Sequence, residues 1–322
     1  MPSPLQAIAK ILSEENHFLV ASHFNPDGDA IGSLVAVGHI LASLGKTFTL
    51  YNPSGMPSKY RWLETPGEVL DTLPDRMPPW TIVMDCGSAE RMGDAMVARM
   101  DETNIINVDH HLGNPGFGTE NWVEVREPAV GSMVARLARE LKQPLTGPLA
   151  EAVYLAVATD TGFFTYGSTT PDCLELTAAM LRDGLDMATI NTKIEKTWSV
   201  ERLRLWSEVI DTVEIHLHDQ VGMVTVTDEM FKRTGTKPGD TESIINFVRR
   251  LKTVRVAAIL REEAPDTYKF SLRSNGGDNV QAVAAVFGGG GHKNAAGGTI
   301  KAPLARAKDM LVQCIGESMD LK

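Results

Sequence analysis

The sequence predicts an α/β protein in two parts: a larger domain built on a parallel sheet, joined by a helical connector to a smaller mixed α+β unit. Three observations carry this expectation. From about residue 5 to 190, short apolar runs alternate with segments of helical periodicity, the pattern of a parallel sheet covered by helices on both faces. After a charged helical stretch at 189–211 the texture changes to hairpins and paired strands. The length, 322 residues, exceeds one ordinary core and fits two domains.

Taken in order, MPSPLQAIAKILSEEN reads as a polar-faced helix, and no basic segment leads into an apolar run, so it is not a secretory signal. Phe18-Leu19-Val20 predicts a strand that ends in HFNPDGDAIGS (23–33), followed by a helix over 31–44. Thr81-Ile82-Val83-Met84 predicts a strand feeding Asp85, and residues 104–108 a strand feeding Asp109-His110-His111. A helix is expected over 132–141, and Tyr154-Leu155-Ala156-Val157 is read as a fourth strand, feeding Asp160. In KIEKTWSVERLRLWSEVI the apolar marks Ile194, Trp198, Leu203 and Trp206 make the connector. The domain boundaries are therefore 1–188, 189–211 and 212–322. In the last part, runs at 213–217 and 221–226 flank a His218-Asp219-Gln220 turn, a hairpin signal. A helix over 242–251, strands over 253–261 and 267–273, and a helix over 279–287 running into a glycine loop complete it.

Composition excludes several classes of function. With 43% hydrophobic and 22% charged residues the chain reads as a soluble globular protein. No stretch approaches the roughly 20 apolar residues of a membrane span. Cys86, Cys173 and Cys314 are odd in number and show no CxxC spacing, which supports neither a disulfide framework nor a zinc ribbon and suits the cytoplasm. A net charge of −10 argues against a protein that coats long duplex nucleic acid. A short polyanion can still bind where divalent ions and a few Arg and Lys residues reverse the local sign.

The chemistry is carried by four segment ends that supply only Asp and His: His23/Asp27/Asp29, Asp85, Asp109-His110-His111 and Asp160. Parallel sheets keep their binding crevices at the C-terminal ends of their strands. Each group also has a bland reading. Asn-Pro-Asp-Gly is a turn that could lead to a helix N-cap by Asp29, and an isolated Asp85 could merely cap the next helix. Together they suit a pair of divalent ions. The mixed nitrogen and oxygen set leans to Mn²⁺, with Mg²⁺ as the alternative, over Ca²⁺ or a closed Zn²⁺ site. Two such ions, about 3.5–4 Å apart, clamp the attacking and leaving oxygens of a phosphoryl transfer.

The string Asp109-His110-His111, preceded by His23/Asp27/Asp29 and Asp85 and followed by Asp160, resembles the DHH phosphoesterase superfamily. GGGGHKNAAGG (288–298) is similar to the glycine-rich signature of the DHH-associated C-terminal domain, and the resemblance covers nearly the whole chain. It points to the branch of bacterial oligoribonucleases (nanoRNases), pAp phosphatases and stand-alone cyclic-dinucleotide phosphodiesterases. It implies that His23, Asp27 and Asp85 hold one ion and that Asp29, Asp85, His110 and Asp160 hold the other. Asp109 would orient a ligand imidazole, and His111 would be the general acid at the leaving oxygen. Gly289, Gly290, Gly291, His292 and Lys293 would bind a phosphate or terminal nucleotide, with Arg273 in SLRSN as its clamp. Arg91 and Ser132 are further candidates near the first crevice.

Other residues read as structure. Trp198 and Trp206 are packing before base-stacking platforms, Cys86 is a small buried residue before a nucleophile, and Arg249 and Arg250 are solvated helix faces. The activity implied is hydrolysis of short oligoribonucleotides to 5′-mononucleotides, and of pAp to AMP. A phosphodiesterase for cyclic di-AMP or pApA is the runner-up. A family II inorganic pyrophosphatase would have a different C-terminal domain, and a RecJ-type exonuclease a longer chain. A nucleotide sensor without turnover should have lost a ligand, and all six are present. The expected partners are short RNA or small nucleotides, with neither long duplex nor membrane. The resemblance also allows a homodimer, on which the residues are silent.

Overall fold

A computed structural model describes residues 2–320, with His292 described by its backbone alone. The chain divides into two compact units, residues 1–197 and 198–322.

The first unit holds six strands, β1 (His17–Ser22), β2 (Thr47–Tyr51), β3 (Val69–Leu70), β4 (Trp80–Met84), β5 (Asn104–Asp109) and β6 (Glu120–Val123). They form one sheet in the order β3-β2-β1-β4-β5-β6, with every pairing parallel. Its helices are α1 (Pro4–Glu14), α2 (Gly28–Ser43), α3 (Asp94–Val97), α4 (Val130–Glu140), α5 (Gly147–Asp160), α6 (Pro171–Arg182) and α7 (Met187–Glu195). α1 begins with a capping box in which Ser3 and Gln6 bond each other's backbone, and Asp27 caps α2 by accepting from the N–H groups of Asp29 and Ala30. The central strands are buried on both faces, as continuous Val, Ile and Phe runs require. The chain leaves β1 toward β2 on one side and reaches β4 on the other, so the crevice of this doubly wound sheet lies at the C-terminal ends of β1 and β4.

The fourth strand expected from Tyr154-Leu155-Ala156-Val157 is instead the last half of α5. Its apolar run is long enough for four turns because the helix is buried all round, packed against α2 and α4, and it starts at Gly147-Pro148 with proline in the first turn. A short apolar run cannot by itself separate a buried helix from a buried strand. The close packing needs Gly32 of α2, where a methyl group would lie 2.5 Å from the carbonyl oxygen of Ala152. As a result the N-terminus of α2 and the C-terminus of α5 open onto the same crevice.

The second unit contains α8 (Val200–Ile210), β7 (Glu214–His216), β8 (Val221–Val226), α9 (Asp228–Thr234), α10 (Ile244–Val248), β9 (Val256–Ala264), β10 (Thr267–Ser274), α11 (Val280–Val286), β11 (Gly290–His292), β12 (Ala295–Lys301) and α12 (Leu304–Ser318). The sheet order is β11-β12-β10-β9-β8-β7, antiparallel except for β8 and β9, so the expected mixed unit is present. The single connector expected over 189–211 is not. α7 ends before Lys196, α8 starts after Ser199, and each helix packs in its own unit. The Ser199 side chain caps α8, a start signal inside what periodicity alone reads as one helix.

Trp206 is buried and donates to the Asp240 carbonyl, whereas Trp198 packs on it from outside with the Arg202 guanidinium over its ring. Among the described residues, no helix is long and apolar enough to cross a membrane.

Candidate metal centre

His23 follows β1, Asp27 and Asp29 open α2, Asp85 follows β4, His110 follows β5 and Asp160 ends α5. Their side chains converge in two sets, His23/Asp27/Asp85 and Asp29/His110/Asp160, in each of which one ligand atom per residue lies within 4.8 Å of the others. Asp85 stands between them. Its Oδ2 is 3.8 Å from His23 Nε2, and its Oδ1 is 3.6 Å from His110 Nε2. A third set, Asp85/His110/His111, overlaps both.

Each side chain is aimed by a bond made elsewhere. His23 Nδ1–H donates to the Phe24 carbonyl at 2.8 Å, and His110 Nδ1–H donates to the Glu127 carbonyl at 2.9 Å. A carbonyl only accepts, so Nδ1 carries a proton in both rings and Nε2 is the atom turned toward the carboxylates, the lone pair a cation would use in the neutral form. Asp29 accepts from Val130 N–H at 2.6 Å, Gly131 N–H at 2.9 Å and Ser33 Oγ–H at 2.9 Å. Asp85 sits at φ +54°, in the left-handed region, so the strand turns abruptly as it delivers this residue.

Asp109 differs from the sequence expectation. It orients not the ligand His110 but His111, accepting from His111 Nδ1–H at 2.8 Å and from Asn114 Nδ2 at 2.6 Å. Asp109 ends β5, and its second oxygen accepts from the His111 backbone N–H at 3.2 Å, a local turn that brings the His111 ring against the carboxylate. Burial works against the Asp109 charge, but the bonds from His111 and Asn114 outweigh it and hold this carboxyl below its usual value. The same bond holds His111 above the usual imidazole value.

The other carboxylates are under strain of charge. Burial, and then the charge of Asp160, pushes Asp29 up to about 6. Burial raises Asp85 well above the ordinary carboxylate range, with Asp29 and Asp27 adding to it, and burial also raises Asp160. Burial lowers His23, which favours the neutral imidazole that a cation needs. Asp85 Oδ1 is buried without a hydrogen-bond partner. A donor set of carboxylates and neutral imidazoles, with crowded negative charge and an orphaned oxygen at its centre, fits divalent cations. Cys86 is no competitor as ligand or nucleophile: burial pushes its thiol up to about 12, and it donates to the Ser88 carbonyl.

The crowding has a measurable consequence. Asp29 is raised from 3.8 to about 6, so its contribution to stability is complete below the lower value and is lost as pH rises through the higher one, a change on the order of 3 kcal/mol. The melting temperatures of metal-loaded and metal-stripped protein are therefore expected to draw apart between pH ~4 and ~6, as calorimetry in Mn²⁺ and in chelator can read. A constant gap across that window would exclude carboxylate crowding as its source.

Of the further candidates, Arg91 lies close enough that its charge works against protonation of both His23 and His111. The Ser132 hydroxyl is engaged with Glu127 Oε2 and the Ala129 carbonyl, both at 2.6 Å.

In the second unit the register sets Arg273, Ala295 and His292 in one row across β10, β12 and β11. The His292 side chain, expected to contact phosphate, lies outside the described residues. Lys293 is exposed. Gly289 and Gly291 serve packing first: a methyl group would lie 2.2 Å from the Gly297 carbonyl oxygen at Gly289, and 2.4 Å from that of Ala295 at Gly291. Gly290 faces open space. The Arg273 guanidinium donates to the Leu272 carbonyl, and burial together with the neighbouring Arg249 charge makes its proton easier to lose. Arg249, read from sequence as a solvated helix face, is half-buried at the end of α10, its carbonyl held by Asn275 Nδ2 at 3.1 Å. Neither arginine has a carboxylate within ion-pair distance among the described residues.

Sequence reasoning also missed Glu127, Asn114 and Ser33, which hold the functional groups. Only Ser33, four residues beyond Asp29 on one helix face, carries a local signal.

Residues 17–157 match the DHH family, N-terminal domain, and residues 220–317 match the DHHA1 domain. A bifunctional oligoribonuclease and PAP phosphatase NrnA of Thermus thermophilus is 31% identical over 317 residues, 98% of this chain and 94% of the relative. A probable protein of the same description from Streptococcus mutans is 24% identical, covering 90% and 91%. Among solved structures, an exopolyphosphatase-related protein from Bacteroides fragilis superposes with a TM-score of 0.89 at 26% identity, covering 98% of this chain and 96% of that one. The exonuclease RecJ bound to manganese, with a TM-score of 0.54 and 14% identity, shares the fold alone.

Proposed function

The chain belongs to the DHH family, here joined to a DHHA1 domain, and from that membership we propose a divalent-metal-dependent phosphoric ester hydrolase that cleaves short oligoribonucleotides to 5′-mononucleotides and takes the 3′-phosphate from pAp. The observation that carries this reading is the convergence of two potential ligand sets on the shared carboxylate of Asp85, whose buried Oδ1 has no hydrogen-bond partner. In both reactions the bond broken joins phosphorus to a ribose 3′-oxygen, so one site and one acid serve both substrates.

His23, Asp27 and Asp85 would hold one ion; Asp29, Asp85, His110 and Asp160 would hold the other. Mn²⁺ suits this set, as does Mg²⁺. Such ions supply positive charge to the phosphoryl oxygens and make water a stronger nucleophile near neutral pH. The chain's own residues do the rest. Asp109 fixes His111 through Nδ1 and keeps it protonated to higher pH, leaving Nε2 to deliver a proton to the departing 3′-oxygen. Arg91 adds positive charge beside this acid. In the second unit, Arg273 with Arg249 offers two guanidiniums lacking a carboxylate, which suits a phosphate of the substrate.

Arg273→Met is expected to raise KM for pAp by about 10- to 100-fold with kcat largely kept, the loss of one or two charge-assisted hydrogen bonds. Arg249→Met should follow by a smaller factor. Steady-state kinetics on both variants checks this, and unchanged KM in both would remove the clamp.

The reading itself is tested by product analysis of metal-stripped protein resupplied with Mn²⁺ and given pAp, a dinucleotide, a five-nucleotide RNA, cyclic di-AMP and pyrophosphate. Mononucleotides from RNA with phosphate from pAp are expected. A preference for cyclic di-AMP would reassign the substrate, and nucleotide binding without turnover would make the chain a sensor.

A further inference from the structure

The stretch running from the end of β6 into the first turn of α4, residues 124–131, aims two of the prospective ligands at once. Its Glu127 carbonyl holds the His110 ring, and its Val130 and Gly131 N–H groups hold Asp29. Those two side chains belong to one ion set. The path of this segment is therefore part of the geometry of that set.

One side chain ties the segment together. Arg136, in the second turn of α4, places Nη1 2.5 Å from Glu124 Oε2 and 2.7 Å from Glu127 Oε1. The remaining oxygens are taken as well: Trp122 Nε1–H donates to Glu124 Oε1 at 2.6 Å, and the Ser132 hydroxyl donates to Glu127 Oε2 at 2.6 Å. The guanidinium also lies over the Trp122 ring, 5.3 Å from its centre. The two acids bound one tight turn, in which Glu127 N–H donates to the Glu124 carbonyl at 2.9 Å. Without the guanidinium, two like charges would face each other across the turn that carries the His110 acceptor.

We propose that Arg136 is a positioning residue: by clamping Glu124 and Glu127 it fixes the carbonyl that orients His110, and with it the affinity of the ion that Asp29, His110 and Asp160 would hold. The inference rests on the metal-dependent reading above. Groups that orient ligands from behind typically govern metal affinity by 10- to 100-fold, and Arg136 acts one step further out, so roughly tenfold is expected. The Arg136 side chain is 40% exposed, and an exposed ion pair contributes little to stability. Its loss should therefore be felt in metal binding before it is felt in folding.

The experiment titrates Mn²⁺ into full-length wild type, Arg136→Met, Glu127→Gln and Arg139→Met, counting free ion by electron paramagnetic resonance, with melting of each metal-stripped protein alongside. Arg139 lines the same cleft of about 700 Å³ but has no carboxylate within ion-pair distance among the described residues, so its variant is the control. In Arg136→Met one of two Mn²⁺ dissociation constants should rise about tenfold while the other stays, with kcat recovering at saturating Mn²⁺. Glu127→Gln keeps the carbonyl and the Ser132 bond and should move the same constant by less. Unchanged constants in both variants would overturn the proposal. So would a lowered metal-free melting temperature in Arg136→Met with intact affinity in Glu127→Gln, which would make the network purely structural. Wild type that binds no Mn²⁺ would instead sink the metal reading beneath it.

Discussion

Asp85→Asn is expected to reduce turnover at least about 10³-fold while raising the melting temperature of the metal-stripped protein. Both effects come from one position. Asp85 touches each of the two prospective ion sets, so an amide there weakens both, and the electrostatic stabilisation lost is of the size that removes most of a rate enhancement. Without metal the same carboxylate is a liability. It is buried, raised by desolvation and by Asp29 and Asp27, and one of its oxygens has no partner. Asparagine keeps the shape, carries no charge and tolerates the left-handed backbone at φ +54°. Calorimetry in chelator and turnover in Mn²⁺ read the two signs. Wild-type turnover in a folded Asp85→Asn protein would end the shared-ligand reading.

His111→Ala should lower kcat on RNA by about 10²- to 10⁴-fold, the usual share of a general acid, with KM and Mn²⁺ affinity kept. The discriminating substrate is an aryl phosphodiester, whose phenolate departs without a proton: there the loss should shrink to less than roughly tenfold. The acid acts in its protonated form, so wild-type kcat is present below the His111 pKa and falls as pH rises through it. The Asp109 bond raises that pKa, so Asp109→Asn should move the alkaline limb toward lower pH. Equal losses on RNA and on the aryl ester would take the proton-donor role from His111.

The parts of this site that were legible in the sequence share one form, an apolar run that ends in Asp or His. Such a run is a buried parallel strand, and its C-terminal end is where the crevice must be, so His23, Asp85 and His110 could be placed before any coordinates. Asp160 could be named but not housed. The run before it is apolar because α5 is enclosed by other helices, and enclosure erases the periodicity that marks a helix. The supporting groups were illegible for a different reason. Glu127 acts through its carbonyl and Asn114 from a loop, and neither role leaves a trace in residue type or spacing. Arg249 looked like any charged residue at a helix end until Arg273, from a strand distant in sequence, was seen beside it.

The four consecutive glycines at 288–291 invite the idea of pliancy, yet the backbone crossing at β11 and β12 makes them unequal in what drift can do to them. At Gly289 and Gly291 the obstacle to any side chain is a neighbouring main-chain carbonyl, which no compensating substitution can shorten. Gly288 has room but needs a left-handed residue, and Gly290 has room without that demand. On steric grounds, then, the third glycine has room for a side chain and the first for asparagine, while the second and fourth stay locked together by the strands they let pass.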